Sequence, residues 1–320
     1  QAPEETVRKY RGRYNDGPAA LQKARLARQK ELGIVPDHYD PLDNQVMQQS
    51  WDKMSPEEKA IAIRSMEIYA AMVDEIDQHS GRLFEYLTTN GLMENTIIMF
   101  MSDNGAEGHD IDQTWDAELF PAIRKVIDDT HDFSYDNMGK PNSYVFYGPD
   151  WARTSAPAHR LYKGFPTEGG TRVPAFIYYP KEFPSGRIER DLFYVKDVTP
   201  TLLDFLGVIH PSQSDQPHLE RPTGLSQVQN LKDPAFVSPE RTIAFELMGK
   251  ISVRRGHWKL IKLPVPYGTD DWQLFNLEKD PAEKENVIDQ YPDIKADLIT
   301  AWQHYAKQNN VILPNWVSGY

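Results

Sequence analysis

The sequence predicts an α/β chain that carries a smaller antiparallel sheet near its C terminus. Three observations predict it. A long helical segment runs into a continuous apolar run, Thr96 to Ser102, and a helix feeding a buried strand is the α/β signature. A second apolar run, Val173 to Tyr179, follows a glycine-rich turn. Late in the chain, "RTIAFELMG", "KISVRRGHWKLIKL" and "WQLFNLEKDP" alternate with turn residues and lead into a helical segment, the pattern of an antiparallel sheet packed with a helix.

The elements follow in order. "ARLARQKELGIVP" gives a short helix that stops near Gly33 and Pro36. Ser55-Pro56-Glu57-Glu58 starts the clearest helix: Ser at the cap, Pro in the first turn, Glu placed to reach back. Apolar residues recur at Ile61, Met66, Tyr69, Met72, Val73, Ile76, Leu83, Phe84 and Leu87, a spacing that predicts one buried face, and Asn90-Gly91 closes the helix. The strand Thr96 to Ser102 is apolar without alternation, which fits a parallel strand covered on both faces. Residues 105–160 lack periodicity and read as a long insertion above the strand end. "DVTPTLLDFLGV" is a short amphipathic helix opened by Thr199-Pro200 and closed by Gly207. Ser212 to Pro239 reads as a linker. The late strands turn at Gly249-Lys250, Arg255-Gly256 and Lys279-Asp280, the helix "PDIKADLITAWQHYAKQN" follows, and the tail "VILPNWVSGY" reads as coil.

Composition narrows the chemistry. The 320 residues, 40% hydrophobic, suffice for a sizeable core. A formal net charge of −12 argues against a nucleic-acid partner. An anionic small substrate requires a cation or local Lys and Arg to reverse the field inside a cleft. With no cysteine, neither a zinc ribbon nor a thiol nucleophile can be built from this chain. No apolar run approaches the roughly 18 residues of a membrane span.

The first chemical candidates are Asp103 and Asn104, at the end of the first apolar strand, where open α/β sheets bind ligands. A carboxylate and an amide carbonyl are two hard oxygens, the ligand type of Ca²⁺ or Mg²⁺, which takes about six or more. Gly105 allows a sharp turn that would aim both side chains at one spot. An ordinary Asp-Asn-Gly turn has the same composition. Lys163, before "GFPTEGG", could bind an oxyanion as a point charge, or be a solvated surface lysine. Glu168-Gly169-Gly170-Thr171-Arg172 matches no phosphate-binding fingerprint, so a turn needing unusual dihedrals is expected there. The nine histidines show no zinc spacing. His109 is nearest the proposed site and is expected to be solvent-exposed. Asp128, Asp129, Asp132 and Asp136 read as a solvated face. Trp115, Phe133, Tyr135, Tyr144, Phe146, Tyr147 and Trp151 either wall an aromatic pocket or pack the insertion onto the core.

Together, "FMSDNGAEG", "LYKGFPTEGGTRVPAFIYYP", "VKDVTPTLLDFLGV" and "RRGHWKLIKLP…WQLFNLEKDPAEKENV" resemble, in this order, sulfatases of the alkaline-phosphatase-like superfamily. The likeness is closest to bacterial arylsulfatases and spans nearly the whole chain. It implies hydrolysis of sulfate esters by a formylglycine diol, made from Cys or Ser, with Ca²⁺ (Mg²⁺ less so) holding the diol and a sulfate oxygen. It implies that Asp103 and Asn104 are metal ligands and that Lys163 is a catalytic, sulfate-contacting residue. It implies a small-molecule sulfate ester, expected to be aryl, as partner, with neither nucleic acid nor membrane, and it leaves the compartment open between bacterial cytoplasm and periplasm.

The family's nucleophile motif, Cys or Ser followed by x-Pro-x-Arg, does not occur. In "SAPAHR", Ser155 and Pro157 fit but Arg160 falls one position late. The expected architecture is therefore the C-terminal part of an alkaline-phosphatase-like sandwich with a mostly parallel central sheet. Residues 1–238 would be the C-terminal portion of the catalytic α/β domain and residues 239–320 a subdomain of antiparallel strands plus a terminal helix. The missing N-terminal half is the expected partner, and the isolated chain is expected to be inactive. The rival readings are a phosphatase, phosphodiesterase or phosphonate monoester hydrolase of the same superfamily, and a non-catalytic fragment or interaction module.

Overall fold

The computed structural model describes residues 1–39, 45–109, 120–183, 186–213, 216 and 218–315. Four helices lead the chain: α1 (Glu4–Arg8), α2 (Gly17–Glu31), α3 (Gln45–Lys53) and α4 (Pro56–Thr89). Then come β1 (Ile98–Met101), α5 (Pro121–Thr130), α6 (Gly148–Ser155), the one-turn α7 (Glu168–Thr171) and β2 (Ala175–Tyr178). The chain continues through α8 (Val198–Leu206), α9 (Val228–Lys232), β3 (Thr242–Leu247), β4 (Lys250–Arg255), β5 (Trp258–Lys262), β6 (Trp272–Asn276) and α10 (Pro292–Gln308). Two compact units are distinguished: residues 1–86, 101–175 and 241–320 form one, residues 87–100 and 176–240 the other.

In the larger unit, α4 begins with the reciprocal cap its sequence implies. The Ser55 N–H donates to Glu58 Oε2 at 2.7 Å and the Glu58 N–H to Ser55 Oγ at 3.2 Å, satisfying two of the donors a helix start orphans. Its burial departs from the expected single stripe. Met66 and Ala70 pack with Tyr14, Trp51 and Trp151, and Ile68 and Ala71 pack with Val7 and Met138. Ile61, Met72, Val73, Ile76 and Leu83 are exposed. The middle turns are enclosed by neighbours from both sides, whereas the flanking apolar positions stay about half open.

The late strands form the expected meander, in the order β3-β4-β5-β6, each pair antiparallel. Met248 and Gly249 both take positive φ, +52° and +82°, the two-residue hairpin turn that matches strand twist; it falls one residue before the expected Gly249-Lys250, because Lys250 already pairs with Leu247. One face of the sheet, Ile251, Val253, Leu260 and Leu274, packs with Leu298 and Trp302 of α10.

In the smaller unit, α8 starts at Val198, before the expected Thr199-Pro200, and ends on Gly207 at φ +63°, a left-handed cap glycine tolerates. The expected linker is packed. Asp197, fully buried, accepts from the N–H groups of Tyr194 and Leu225, both at 2.9 Å. The Gln227 N–H donates to Thr201 Oγ1 at 3.0 Å.

β1 and β2 pair as a two-stranded sheet, shorter at both ends than the sequence suggests. The strands are half-exposed instead of covered on both faces: Phe100 stacks on Phe176 at 5.3 Å while the two remain 41% and 47% exposed. At the end of the pair the Ser102 N–H donates to the Pro174 carbonyl at 3.1 Å and the Gly105 N–H to the Gly170 carbonyl at 3.0 Å. These bonds advance along one segment while retreating along the other, the sense of an antiparallel pair, not the expected parallel one. A mostly parallel sheet commonly carries one such strand.

Candidate functional site

Ser102 to Ala106 emerge from β1 and are stitched to the segment that enters β2. Ser102 Oγ donates to the Asn104 carbonyl at 2.8 Å, folding the loop so that Asp103 is exposed and Asn104 half-buried. The glycines here serve close approach, not unusual dihedrals: Gly105, Gly169 and Gly170 are absent from the positive-φ residues. A Cβ on Gly105 would stand 2.4 Å from the Gly169 carbonyl oxygen, on Gly169 2.1 Å from that of Leu161, and on Gly170 2.1 Å from that of Phe165. Three backbone segments, 102–106, 160–165 and 168–170, therefore nest at distances only glycine permits. The expected dihedral role of Gly105 and of the "EGG" turn is corrected on this point; α7 is a short helix.

The nesting brings Lys163 to the loop of Asp103 and Asn104. The Lys163 N–H donates to the Ala106 carbonyl at 3.0 Å, and its Nζ donates to Glu107 Oε2 at 2.7 Å. Glu107 Oε1 is 3.0 Å from both the backbone nitrogen and Nδ1 of His109. A carboxylate only accepts, so His109 carries its proton on Nδ1. His109 is 2% exposed, contrary to the solvent-exposed loop histidine expected. Its ring packs edge-on to Tyr162 at 5.3 Å and nearly parallel to Phe165 at 6.2 Å.

Asp103 and Asn104 offer a carboxylate and an amide oxygen, a donor set that fits an oxygen-ligand cation such as Ca²⁺ but supplies only part of its shell. Among the described residues no group of three or more His, Asp or Glu side chains is placed to complete it.

A buried charge cluster fixes the lysine loop from the other side. Glu168 and Lys259 are each 2% exposed. Lys259 Nζ donates to Glu168 Oε1 at 2.7 Å and lies 3.0 Å from Glu283 Oε1. The Glu168 N–H donates to Glu283 Oε2 at 3.0 Å, and Arg254 approaches Glu168 Oε2 at 3.6 Å. Burial pushes the Glu168 carboxyl up, but Lys259, Arg254 and His159 together pull it down to about 2. Burial pushes the Glu283 carboxyl up, and the pull of Lys259 does not offset it. The two acids that share the lysine are thus driven apart, Glu168 down and Glu283 up.

Sequence reasoning missed Glu107, Lys259 and Glu283. Lys259 left a signal: it lies in a strand whose next two residues, Leu260 and Ile261, are fully buried, and an inward lysine needs a buried partner. The aromatics divide. Trp151 packs in the core beside Tyr14 and Trp51, and Tyr147 stacks on Tyr69 at 4.6 Å. Tyr144 lies 4.8 Å from Phe146, Phe133 and Tyr135 are exposed, and Trp115 lies outside the described residues. Asp128 and Asp129 pair with Arg124 and Lys125 one helical turn away, the solvated face expected. Asp132 Oδ1 accepts from the Ser134 N–H at 2.8 Å.

Residues 1–208 match the family described as Sulfatase, and residues 158–308 match the C-terminal region of N-sulphoglucosamine sulphohydrolase. An uncharacterized sulfatase of Schizosaccharomyces pombe is 37% identical over 315 residues, covering 98% of this chain and 56% of that protein. An arylsulfatase of Klebsiella aerogenes is 36% identical over 215 residues, covering 67% and 44%. The chain spans about half the length of the curated relatives it matches. A solved Bacteroides thetaiotaomicron structure, from work on glycosaminoglycan metabolism, superposes with a TM-score of 0.52 at 20% identity, covering 80% of this chain and 48% of that one. Another solved structure, of a protein in complex with its substrate D-glucosamine-2-N,6-O-disulfate, gives a TM-score of 0.51 at 20% identity, covering 83% of this chain and 45% of that one.

Proposed function

The chain belongs to the sulfatase family and has its alkaline-phosphatase-like α/β fold, and on that premise we propose that it is part of a sulfuric ester hydrolase of arylsulfatase type. The observation that carries the reading is the bond from the Lys163 N–H to the Ala106 carbonyl, 3.0 Å. It seats a cationic side chain against the loop that offers Asp103 and Asn104. In the proposal Lys163 binds a sulfate oxygen as a point charge, and Asp103 and Asn104 hold a divalent cation, Ca²⁺ before Mg²⁺. When bound, the cation supplies Lewis-acid charge to the sulfate oxygens, and a formylglycine elsewhere in the protein supplies the nucleophile. The remaining ligands come from an N-terminal half that completes the site. Within this chain, residues 1–238 belong to the catalytic domain and residues 239–320 form a subdomain that buttresses the lysine loop through Lys259 and Glu283. The arylsulfatase relative supports an aryl ester as substrate.

The test is turnover of para-nitrophenyl sulfate by the full-length protein. Activity is expected to vanish on chelation and return with Ca²⁺. Lys163→Ala is expected to lower kcat/KM by roughly 100-fold or more, the cost of losing one anion-stabilising donor. Faster turnover of a phosphonate monoester than of the sulfate overturns the reading. The 320-residue chain alone is expected to be inactive.

A further inference from the structure

Resting on the sulfatase reading, we propose that Glu107 is a positioning residue: its carboxylate, locked by His109, sets where the Lys163 ammonium stands to receive an ester's oxyanion. The contacts form a closed circuit. Tyr162 and Phe165 flank Lys163 in the chain, and both rings pack on His109, at 5.3 and 6.2 Å. His109 gives two hydrogen bonds, each 3.0 Å, to a single oxygen of Glu107. The other oxygen accepts from Lys163 Nζ at 2.7 Å. The backbone closes the same circuit, because the Lys163 N–H donates to the Ala106 carbonyl, next to Glu107, at 3.0 Å.

A lysine head is a compact charge on a four-carbon stem and does not fix its own position. A pair of free surface chains would not fix it either, because the ordering entropy of two long side chains cancels most of the attraction. Here Glu107, itself 41% exposed, is tied to a buried side chain. The His109 side chain is fully buried, and its two bonds leave Glu107 one direction in which to present its second oxygen. An ammonium carries three N–H donors, so a carboxylate and an oxyanion can be held by one lysine head. Lys163 is then aimed by its own neighbours: the loop that bears it supplies the aromatic walls that hold the histidine that holds the glutamate.

A double-mutant cycle in the full-length enzyme tests this. Glu107→Ala is expected to lower kcat/KM roughly 100-fold, the scale of an ångström-level misplacement. In a Lys163→Ala background the same substitution is expected to cost less than about 3-fold, because residues acting through one another are non-additive. Glu107→Gln, the safer variant for folding, has one acceptor oxygen where His109 and Lys163 need two, and an intermediate loss is expected. Equal losses in both backgrounds, or wild-type rates in both variants, overturn the proposal. A crystal structure of full-length E107A gives an arm independent of substrate: Lys163 Nζ is expected to leave its place, and an unmoved ammonium overturns the proposal. No turnover of any sulfate ester by the wild type would instead strike the functional reading, and the crystallographic arm would still decide the role of Glu107.

Discussion

At the scale of single residues the site depends on charges that the fold has removed from water. Glu168 and Glu283 share Lys259, and their environments drive them apart: the first well below the usual carboxylate range, to about 2, the second above it. Removing the lysine leaves the buried Glu168 carboxylate with only the longer ion pairs to Arg254 and Arg172, 3.6 and 3.8 Å, so Lys259→Met is expected to cost about 3 kcal/mol in urea unfolding. Glu283→Gln replaces the acid whose charge burial disfavours and is expected to cost less, under about 1.5 kcal/mol. Equal costs would refute the assigned asymmetry. The pH dependence has a definite sign. A depressed carboxyl stabilises the fold above its unfolded value of about 4.3 and loses that contribution as pH falls towards its folded value. The stability gap between wild type and Glu168→Gln is therefore expected to narrow between pH about 4.3 and about 2, in unfolding curves taken across that range. Little of this was legible in advance. Asp103, Asn104 and Lys163 could be nominated because each sits in a short recognisable string, whereas Glu168, Lys259 and Glu283 meet across 91 and 115 residues of chain, and no local pattern links them.

At the scale of elements the legible features are those whose physics is local. The start of α4 was readable because a capping box closes within four residues, and the hairpins of the late sheet were readable because Gly249 and Gly256 sit where positive φ is needed. The faces of α4 were not readable, because burial of Met66 or Ile68 depends on Tyr14, Val7 and Met138, which lie far along the chain. The "EGG" turn shows the same limit. A glycine required by its own φ and one required by a neighbouring carbonyl look identical in sequence, and here the carbonyls of Leu161 and Phe165 decide it. Gly170→Ala would place a methyl 2.1 Å from the Phe165 oxygen, an overlap that backbone must move to relieve. Overpacking of this kind costs about 1–3 kcal/mol, read as a lowered thermal midpoint. The displacement also falls on the bond from the Gly105 N–H to the Gly170 carbonyl. If Asp103 and Asn104 hold the proposed cation, Ca²⁺ affinity of the full-length G170A protein is therefore expected to drop, a coupling that a substitution on exposed α5 would not produce.

At the scale of the whole molecule the chain leaves apolar surface exposed, and it spans about half the length of the curated relatives it matches. In one unit Met72, Val73, Ile76, Leu83 and Tyr86 follow each other along α4, all exposed. In the other, Phe100 and Phe176 stack on a two-stranded sheet and remain open. Contiguous apolar patches and unpaired strand edges drive association, so this half-length chain, expressed alone, is expected to bind a hydrophobic dye and to elute above its monomer mass of 36.8 kDa. Placing a charge on the sheet tests which surface dominates. If the β1–β2 edge drives association, Phe176→Lys in the isolated chain restores monomeric elution, since an edge charge opposes strand pairing. If α4 drives it, the variant elutes as before, and Val73→Lys is the substitution that restores the monomer. The full-length protein is expected to be insensitive to the dye in either case. Dye binding by the full-length protein equal to that of the chain alone would mean that these surfaces are not covered by the rest of the protein.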